Sequence, residues 1–280
     1  MIRTSRQLKA LVRNMSKGDS IKAQIIIRNY VMERFLERLS LSGYRDNLIV
    51  KGGILVSAIV GLDDRSTMDI DATFKNLPLS EESARKVVED IAGIRIDDGM
   101  AFEIKSVSSI MDEADYPGFR VILDAMLETM RTPFKIDFSS GDIITPCEVT
   151  HLFKLLFEER SISILAYNLE TILAEKLETL LARGTANSRM RDFYDIFALE
   201  NTQSHNIDAE VLKAAFTNTS NNRGSTAVIE SMDLVLDEIE RSSDMMALWK
   251  NYQRKFGYSA GISWDKIMQT IKNYAMLLKN

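Results

Sequence analysis

The sequence predicts an α+β fold, in which a mixed β-sheet core with flanking helices is followed by an all-α C-terminal domain. From Asn47 onward, short apolar or alternating segments separated by turn residues are typical of β-strands with intervening helices. Beyond Tyr167, apolar residues recur at the three- to four-residue spacing of helices. We therefore expect N-terminal helices packing on the core at residues 1–46, an α/β core at 47–165 and a helical domain at 166–280.

Composition supports a folded protein without a general affinity for nucleic acid. The 280 residues suffice for one large or two modest domains, and 45% hydrophobic residues can fill their cores. The net charge of −5 gives no overall basic character, so a nucleic-acid partner would need a local patch of Lys and Arg. One cysteine and two histidines exclude an intramolecular disulfide and a zinc site built from these residue types.

The apolar segments are too short for membrane insertion. The charged N-terminal residues lack the apolar stretch of a signal peptide. The longest apolar run, Ile54 to Leu62, falls far below the about 20 residues that a membrane-spanning helix needs. We expect a cytoplasmic protein with no membrane partner.

The elements of the N-terminal half follow from changes in hydrophobic period. The first forty residues read as helix, with Asp19 or Ser20 as a possible cap. The expected elements after them are a strand at Leu48–Val50, a helix at Ile54–Val60, a strand at Met68–Phe74, a helix capped by Ser80 that runs to about Ile91, and strands at Phe102–Ser106, Arg120–Ala125 and Phe134–Phe138, with Gly118 and Pro133 near strand ends.

The C-terminal half is predicted to be entirely helical after a soft boundary near residues 161–167. The expected helices are Leu169–Arg183, Met190–Leu199, Ala209–Phe216, Val228–Ile239, Met245–Phe256 and Trp264–Leu278. The stretch from Thr217 to Ser225 is rich in Asn, Thr, Ser and Gly, which favours a linker.

The clearest chemical signal is a pair of carboxylates on one strand. Side chains alternate along a strand, so Asp69 and Asp71 face the same way, with Cα atoms about 6.5–7 Å apart. Two carboxylates that close repel each other unless a cation lies between them. Magnesium prefers carboxylate and phosphate oxygens, and would bring a nucleoside triphosphate to the pair in a two-metal site. The alternative is the solvated face of an amphipathic strand.

Residues on either side of this strand suit phosphate binding. Gly52 and Gly53 follow a strand and open a helix, where backbone N–H groups can approach a phosphate closely. Arg65, Ser66 and Thr67 precede the carboxylate strand, and Thr67 would share the face of Asp69 if the strand extends that far. We expect these five residues to bind phosphate, although the two glycines could also form only a turn.

A third carboxylate lies on a later alternating strand. Asp137 follows Lys135 and Ile136 and precedes the turn at residues 139–142. If this strand lies beside the Asp69 and Asp71 strand, Asp137 would bind the second metal ion or take a proton from the attacking hydroxyl. The alternative is an ordinary surface strand end.

Basic and acidic residues mark two helices after Tyr167. Lys176 and Arg183 are seven residues apart, which places both on one side of a helix where they could address an anionic ligand. Asp192 and Asp195 share one side of the next helix, where they would pair with Lys176 or Arg189, or contact a base or ribose. The same pattern also occurs as ordinary surface charge.

Together the motifs resemble the AbiEii/AbiGii toxin family of bacterial abortive-infection and toxin–antitoxin systems, within the DNA polymerase β-like nucleotidyltransferase superfamily. The order is Gly-Gly, Arg-x-Thr-x-Asp-Ile-Asp, Lys-Ile-Asp-Phe, and an Ala-Glu-Lys helix leading to Arg-Asp-Phe-Tyr-Asp. The resemblance covers roughly residues 50–197, and the last segment is its most specific part. It implies a minimal nucleotidyltransferase core and a helical C-terminal domain.

The resemblance also implies roles for particular residues. Asp69, Asp71 and Asp137 would be metal-binding catalytic carboxylates, and Lys176 and Asp192 the two later catalytic positions. The glycine turn and Thr67 would bind phosphate. Some forty-six residues precede the core here; this helical prefix varies within the family, and the sequence assigns it no role.

The implied activity is transfer of a nucleotide from a nucleoside triphosphate to an RNA acceptor, with Mg²⁺ as cofactor. Characterised members of the family modify the 3′ end of tRNA and block aminoacylation. The implied partner is a cognate antitoxin, which need not form a stable contact. Two alternatives stay open: a toxin that binds NTP or GTP and modifies a protein, and a non-catalytic antitoxin-binding protein.

Overall fold

A computed structural model of the protein describes residues 1–62, 65–110 and 118–279. The chain forms two compact units, each built from separate stretches of sequence. The first unit comprises Met1–Ala58, Ser66–Gly141 and Val149–Ala166, and the second comprises Ile59–Arg65, Asp142–Glu148 and Tyr167–Asn280. No helix among the described residues has the length and apolar character needed to cross a membrane.

The first unit begins with two helices, α1 (Ser5–Ser16) and α2 (Ser20–Leu41). They are separated at Lys17 and Gly18, whose positive φ angles of 51° and 86° end the first helix. Of the two predicted caps, Asp19 is the one used, because its carboxylate accepts hydrogen bonds from the N–H groups of Ile21 and Lys22.

A mixed β-sheet forms the centre of the first unit, as predicted. Its strands are β1 (Leu48–Lys51), β2 (Asp69–Phe74), β3 (Met100–Ile110), β4 (Gly118–Leu127), β5 (Met130–Ser140), β6 (Val149–Lys154) and β7 (Ser161–Ala166). Their order across the sheet is β3-β4-β5-β2-β1-β7-β6. The β2–β5 and β1–β7 pairs are parallel, and the other neighbours are antiparallel.

Two further helices belong to the strand–helix alternation, α3 (Gly52–Val60) and α4 (Glu81–Ala92), the latter capped by Ser80 as expected. Helix α2 packs on one face of the sheet, where Phe35 and Phe134 have ring centroids 6.0 Å apart. Ile70 and Ile136, which alternate with the carboxylates of β2 and β5, are buried. The carboxylates therefore lie on the sheet face opposite to this core.

Several strand predictions are corrected by the structure. Strands β6 and β7 were not predicted; in β6 the exposed apolar residues Val149 and Leu152 blur the alternation. Strands β3, β4 and β5 are longer than predicted. Pro133 lies inside β5 opposite Asp124 of β4, rather than near its end. Because β2 begins to pair with β5 only at Lys135, the missing N–H of Pro133 interrupts no bond on that side.

Among the described residues, six α-helices dominate the second unit, which confirms the all-α prediction for residues after Tyr167. They are α5 (Leu169–Arg183), α6 (Met190–Gln203), α7 (Ala209–Asn222), α8 (Ala227–Arg241), α9 (Ser243–Lys255) and α10 (Trp264–Lys279). Buried aromatic side chains join them, including Phe193 of α6 and Trp264 of α10, whose ring centroids are 5.5 Å apart. These two aromatic residues are core residues.

The predicted linker at Thr217–Ser225 is wrong for most of its length, because α7 continues to Asn222. The polar residues of this part of α7 make contacts within the second unit. Thr219 and Ser220 are buried, and the side-chain amide of Asn218 donates to Oγ1 of Thr145 at 2.9 Å. Composition alone indicated a linker, but the tertiary contacts of these small polar residues stabilise a helix.

Candidate active site

Three carboxylates come together in the first unit through the pairing of two parallel strands. Asp69 and Asp71 occupy alternate positions of β2, and Asp71 is directly opposite Asp137 of β5. Asp69 is opposite Lys135 in the same register. The structure therefore fulfils the condition set for Asp137, whose strand lies beside the Asp69 and Asp71 strand.

The side chains of Lys135 and Arg120 form ion pairs with Asp69 and Asp137. Nζ of Lys135 lies 3.2 Å from Oδ2 of Asp69 and 3.3 Å from Oδ2 of Asp137. Arg120 of β4 forks onto Asp137, with Nε to Oδ1 and Nη2 to Oδ2 both at 2.8 Å. A forked guanidinium–carboxylate pair fixes both position and plane of the acid. Neither cation was assigned a role from the sequence.

The third carboxylate, Asp71, occupies the most unfavourable electrostatic position. Burial raises the pKa of Asp71 to about 6, and the charges of Asp69 and Asp137 act in the same direction. Lys51, opposite Asp71 on β1, and the Gly53 N–H lower the pKa but do not outweigh these effects. Burial is thus the main reason that the ionised form of Asp71 is disfavoured, and the two neighbouring carboxylates add to it.

The two glycines make room for this carboxylate. Gly52 has a φ of +67°, and a Cβ built on it would lie 2.0 Å from Oδ2 of Asp71. The N–H of Gly53, at the start of α3, points to the same oxygen at 3.4 Å. Glycine is required at position 52 both by the backbone conformation and by the close approach of Asp71. The predicted approach of backbone to phosphate is here an approach of backbone to carboxylate.

The predicted phosphate-binding segment before β2 is largely buried. Strand β2 begins at Asp69, so Thr67 lies outside the strand. The suggestion that Thr67 shares the strand face of Asp69 depended on a longer strand. Thr67 is fully buried, and its hydroxyl lies 3.3 Å from both the carbonyl oxygen and Oδ1 of Asp69. Ser66 is also buried. In this arrangement Thr67 orients Asp69.

A second cluster of charged side chains lies within the second unit. Arg65 is buried and forks onto Asp195 of α6, with Nε to Oδ1 at 2.7 Å and Nη2 to Oδ2 at 3.1 Å. Lys176 of α5 pairs with both Asp192 and Asp195, its Nζ lying 2.7 Å from an oxygen of each. These are the ion pairs with Lys176 that the sequence offered as one of several possible roles for the two aspartates.

The charges of this second cluster are mutually stabilised. Burial alone would raise the pKa of Asp195, but Arg65 and Lys176 lower it to about 2. Burial would likewise lower the pKa of Lys176, but Asp192 and Asp195 raise it above its ordinary value. The ammonium of Lys176 therefore stays charged. Asp192 is part-exposed, with 16% of its side chain accessible, whereas Asp195 is wholly buried.

The remaining predicted residue, Arg183, ends α5 two turns beyond Lys176 and is half-buried. None of the ion pairs just described includes it. The sequence contained a signal for Lys135, which shares the strand face of Asp137 two residues later. It contained none for Arg120, because the β4–β5 register that brings it to Asp137 is not visible in local spacing.

The carboxylates of the first cluster are suitable ligands for a divalent cation, although Lys135 and Arg120 bind some of their oxygens in this structure. Among the described residues, no three His, Cys, Asp or Glu side chains stand in an arrangement that could hold a metal ion directly. Lys135 and Arg120 bind carboxylate oxygens of Asp69 and Asp137, which would have to point towards a shared metal ion. The ionised form of Asp71 is disfavoured chiefly by burial, which a bound cation would offset, and carboxylate oxygens are the ligands that Mg²⁺ prefers.

The fold is similar to that of several solved structures, one of which is a nucleotidyltransferase toxin. The MenT4 nucleotidyltransferase toxin from Mycobacterium tuberculosis superposes with a TM-score of 0.57 at 15% identity, covering 96% of this chain and 98% of that chain. JHP933 from Helicobacter pylori superposes with a TM-score of 0.53 at 13% identity, covering 91% and 92% of the two chains. At these identities the likeness concerns the fold. No curated protein matches the sequence significantly.

The family is shown by the sequence itself. The family described as "Nucleotidyl transferase AbiEii toxin, Type IV TA system" matches residues 34–270, which include every residue of both charged clusters. The match extends well beyond the core motifs into the C-terminal helices. The chain therefore belongs to the AbiEii family of nucleotidyltransferase toxins of type IV toxin–antitoxin systems.

Proposed function

We propose that the protein transfers a nucleotide from a nucleoside triphosphate to an RNA acceptor, with the 3′ end of tRNA as the favoured acceptor. The observation that carries the proposal is the parallel register that sets Asp137 beside Asp71, two residues from Asp69. Three carboxylates on one sheet face suit a reaction in which charge neutralisation and positioning are the main catalytic effects.

The reaction is an in-line displacement at phosphorus. A hydroxyl of the acceptor attacks the α-phosphorus of the triphosphate, the new phosphodiester bond forms, and pyrophosphate leaves with the electrons of the broken bond. Asp137 is the proposed acceptor of the hydroxyl proton, which its part-exposed carboxylate permits. Gly52 and Gly53 keep Asp71 against the start of α3, where the helix dipole favours negative charge.

Asp69, Asp71 and Asp137 would hold Mg²⁺, which when bound neutralises charge on the triphosphate. Thr67 positions Asp69 through its hydroxyl. Ser66 and Arg65, predicted as phosphate ligands, are buried, and Arg65 already pairs with Asp195. A positioning role for both is therefore better supported than direct phosphate contact.

For the second cluster, the family resemblance implies catalytic roles for Lys176 and Asp192 and a phosphate-binding role for Arg183. The ion pairs support a specific form of this proposal. Asp195 and Asp192 keep Lys176 protonated and fixed, so that it offers a permanent positive charge to an anionic substrate. Asp195, which is wholly buried, acts as a positioning residue for both Lys176 and Arg65.

Family membership implies a nucleoside triphosphate substrate and an antitoxin partner. The RNA acceptor, the magnesium dependence and a cytoplasmic site of action are our proposals. Two other functions compete with them: an NTP-binding toxin that modifies a protein, and a non-catalytic protein that binds an antitoxin. The three differ in where a labelled nucleotide is found after incubation.

The deciding experiment uses each of the four α-labelled nucleoside triphosphates with Mg²⁺, bacterial RNA and a protein extract. The wild type is compared with an Asp69→Asn/Asp71→Asn variant and with Asp244→Asn, which changes an exposed aspartate of α9 outside both clusters. Label on a tRNA-sized band, lost in the double variant and kept in the control, supports the proposal and identifies the nucleotide.

The other outcomes each reject it. Label on a protein band would assign the activity to protein modification. Label on RNA that persists in the double variant would remove Asp69 and Asp71 from the mechanism. No transfer to either acceptor, with nucleotide binding unchanged by the double substitution, would leave a binding protein. Circular dichroism of each variant separates these outcomes from loss of fold.

A further inference from the structure

The N-terminal segment has a charge opposite to that of the rest of the chain. Residues 1–28 contain seven Lys or Arg and one acidic residue, Asp19, a net charge of +6. The whole chain has a net charge of −5, which leaves −11 for the other 252 residues. The chain thus concentrates positive charge in the segment that contains α1, a helix with no acidic residue.

Four of these cations form one exposed row, here called the basic face of α1. Arg6, Lys9, Arg13 and Lys17 are spaced by three, four and four residues, which places them on one side of the helix and its C-terminal cap. All four are exposed. From first to last they extend over about 16 Å at the rise of an α-helix.

The opposite side of α1 anchors the helix. Leu8 and Val12 are buried, and α1 packs on α2. A capping box between Thr4 and Gln7 fixes the start of the helix, and Glu128 of the β4–β5 turn accepts hydrogen bonds from the backbone N–H and the hydroxyl of Ser5. The basic face is therefore presented by an ordered helix.

Few acidic side chains of the protein pair with the basic face of α1. The hydrogen bonds from Ser5 chiefly lower the pKa of Glu128, and the charge of Lys9 adds to this effect. Arg6, Arg13 and Lys17 form no ion pair within the part of the chain that the structure describes. By contrast Arg3, just before the helix, pairs with Asp97. Keeping a row of like charges exposed and unpaired is unfavourable for the isolated protein, and an external polyanion would relieve it.

A groove beside the row adds hydrogen-bonding groups. It has a volume of about 410 Å³, and its lining combines the polar residues Lys9, Arg13, Ser16 and Ser20 with the apolar residues Val12, Ala23 and Ile27. Asp19 also borders it, but that carboxylate is engaged with the N–H groups of Ile21 and Lys22 at the start of α2. Cations with neighbouring hydroxyls are the groups that contact phosphate and sugar in nucleic-acid interfaces.

We propose that the basic face of α1 binds the phosphate backbone of the RNA acceptor. The inference rests on the proposed function, since it identifies where the acceptor of that reaction is held. A protein partner is disfavoured by chemistry, because the cores of protein–protein interfaces are depleted of charged residues, and this face consists of four cations. A regular row of cations matches a regular row of phosphates.

The test measures binding of fluorescently labelled tRNA by anisotropy, in EDTA and without nucleotide. The wild type is compared with Arg6→Ala/Arg13→Ala/Lys17→Ala and with a matched control, Lys250→Ala/Arg254→Ala/Lys255→Ala, on the exposed surface of α9. We expect the α1 variant to bind at least tenfold more weakly, and the control to lose less than threefold. The slope of log affinity against log salt should fall in magnitude by about 2 in the α1 variant alone.

Equal losses in the two variants would overturn the proposal, since they would show a general effect of net charge. Equal losses of tRNA and poly-L-glutamate binding by the α1 variant would reduce the face to an unspecific anion site and also overturn it. Failure of the proposed function gives a different result. The Asp69→Asn/Asp71→Asn variant should bind tRNA as the wild type does, whether or not transfer occurs.

Discussion

The Nζ atom of Lys135 lies 3.2 Å from Oδ2 of Asp69, its register partner on the neighbouring parallel strand. The same ammonium lies 3.3 Å from Oδ2 of Asp137. One lysine therefore supplies positive charge to two of the three carboxylates proposed to hold Mg²⁺. A divalent cation that binds these oxygens must compete with a cation that the chain itself provides.

Replacing Lys135 by Met should therefore strengthen metal binding. The methionine keeps the length and apolar stem of the side chain and removes the competing charge. Because part-exposed ion pairs contribute up to about 1 kcal/mol each, we expect Mn²⁺ affinity to rise roughly three- to tenfold. Electron paramagnetic resonance titration with Mn²⁺ measures this without reference to activity.

Lys105→Met is the matched control for this prediction. Lys105 pairs with Glu103 on β3 and has a similar accessible fraction, 40% against 32% for Lys135. Its replacement should leave Mn²⁺ affinity unchanged. Unchanged or weaker Mn²⁺ binding by the Lys135 variant would show that its ammonium does not oppose the metal.

Substitution of Gly52 by Ala should disturb the carboxylate cluster. The added Cβ would lie 2.0 Å from Oδ2 of Asp71, on a backbone with a φ of +67°. We expect a loss of about 1–3 kcal/mol in the free energy of unfolding, and loss of nucleotide transfer because Asp71 must move. Urea denaturation and the labelling assay measure the two effects.

Gly43→Ala provides the comparison, since a Cβ at position 43 meets no atom within 4 Å. Its stability should change by less than about 0.5 kcal/mol. Equal behaviour of the two alanine variants would mean that Asp71 does not need the space that Gly52 leaves.

Substitution of Asp195 by Asn should destabilise the second unit strongly. Asp195 is wholly buried and pairs with both Arg65 and Lys176, so its neutralisation takes a buried negative charge away from two buried cations. Removing one partner of a buried ion pair lowers the free energy of unfolding by about 3–5 kcal/mol. Urea denaturation at pH 7 gives the difference, and the exposed Asp244→Asn should change stability by less than about 0.5 kcal/mol.

The pH dependence of this loss has a definite sign. The folded-state pKa of Asp195 is lowered from 3.8 to about 2, so its ionised form stabilises the fold above pH 4. That contribution is lost as the pH falls through about 2. The difference in the free energy of unfolding between wild type and Asp195→Asn should therefore become smaller on acidification. A difference that is constant with pH would argue against an ionised Asp195.

Glu33 of α2 should make the first unit less stable at alkaline pH. Burial raises its pKa from 4.5 to about 8; the hydrogen bond from the Leu156 N–H and the charge of Arg34 act against this, and Glu158 and Glu37 add to it. The folded protein thus holds a proton that the unfolded chain releases above pH 4.5. Stability from this group is complete below pH 4.5 and is lost as the pH rises through about 8.

Glu33→Gln removes this titration and keeps an oxygen that can accept the Leu156 N–H bond, which is 2.8 Å long in the wild type. We expect the variant to gain stability relative to wild type as the pH rises from 5 to 9, by on the order of 3 kcal/mol. Denaturation midpoints across this range provide the measurement. Parallel pH profiles for the two proteins would show that Glu33 is ionised in the fold.

Local sequence determined those features whose physical cause is local. Alternation along β2 puts Asp69 and Asp71 on one face, and the switch to helical spacing after Tyr167 marks the second half of the chain. Gly52, directly after β1, signalled a close approach of backbone to another group. Motif order also indicated the family, because each motif is contiguous.

Only the tertiary structure decided which distant residues meet. The parallel register of β2 and β5 sets Asp137 beside Asp71, and the antiparallel register of β4 brings Arg120 to the same carboxylate. Arg65 and Asp195 pair across 130 positions of sequence. Strand register and helix docking depend on summed packing over many residues, so no single spacing encodes them. For the same reason the sequence signalled the carboxylates and Lys135, whereas the contact of Arg120 with Asp137 emerged only from the fold.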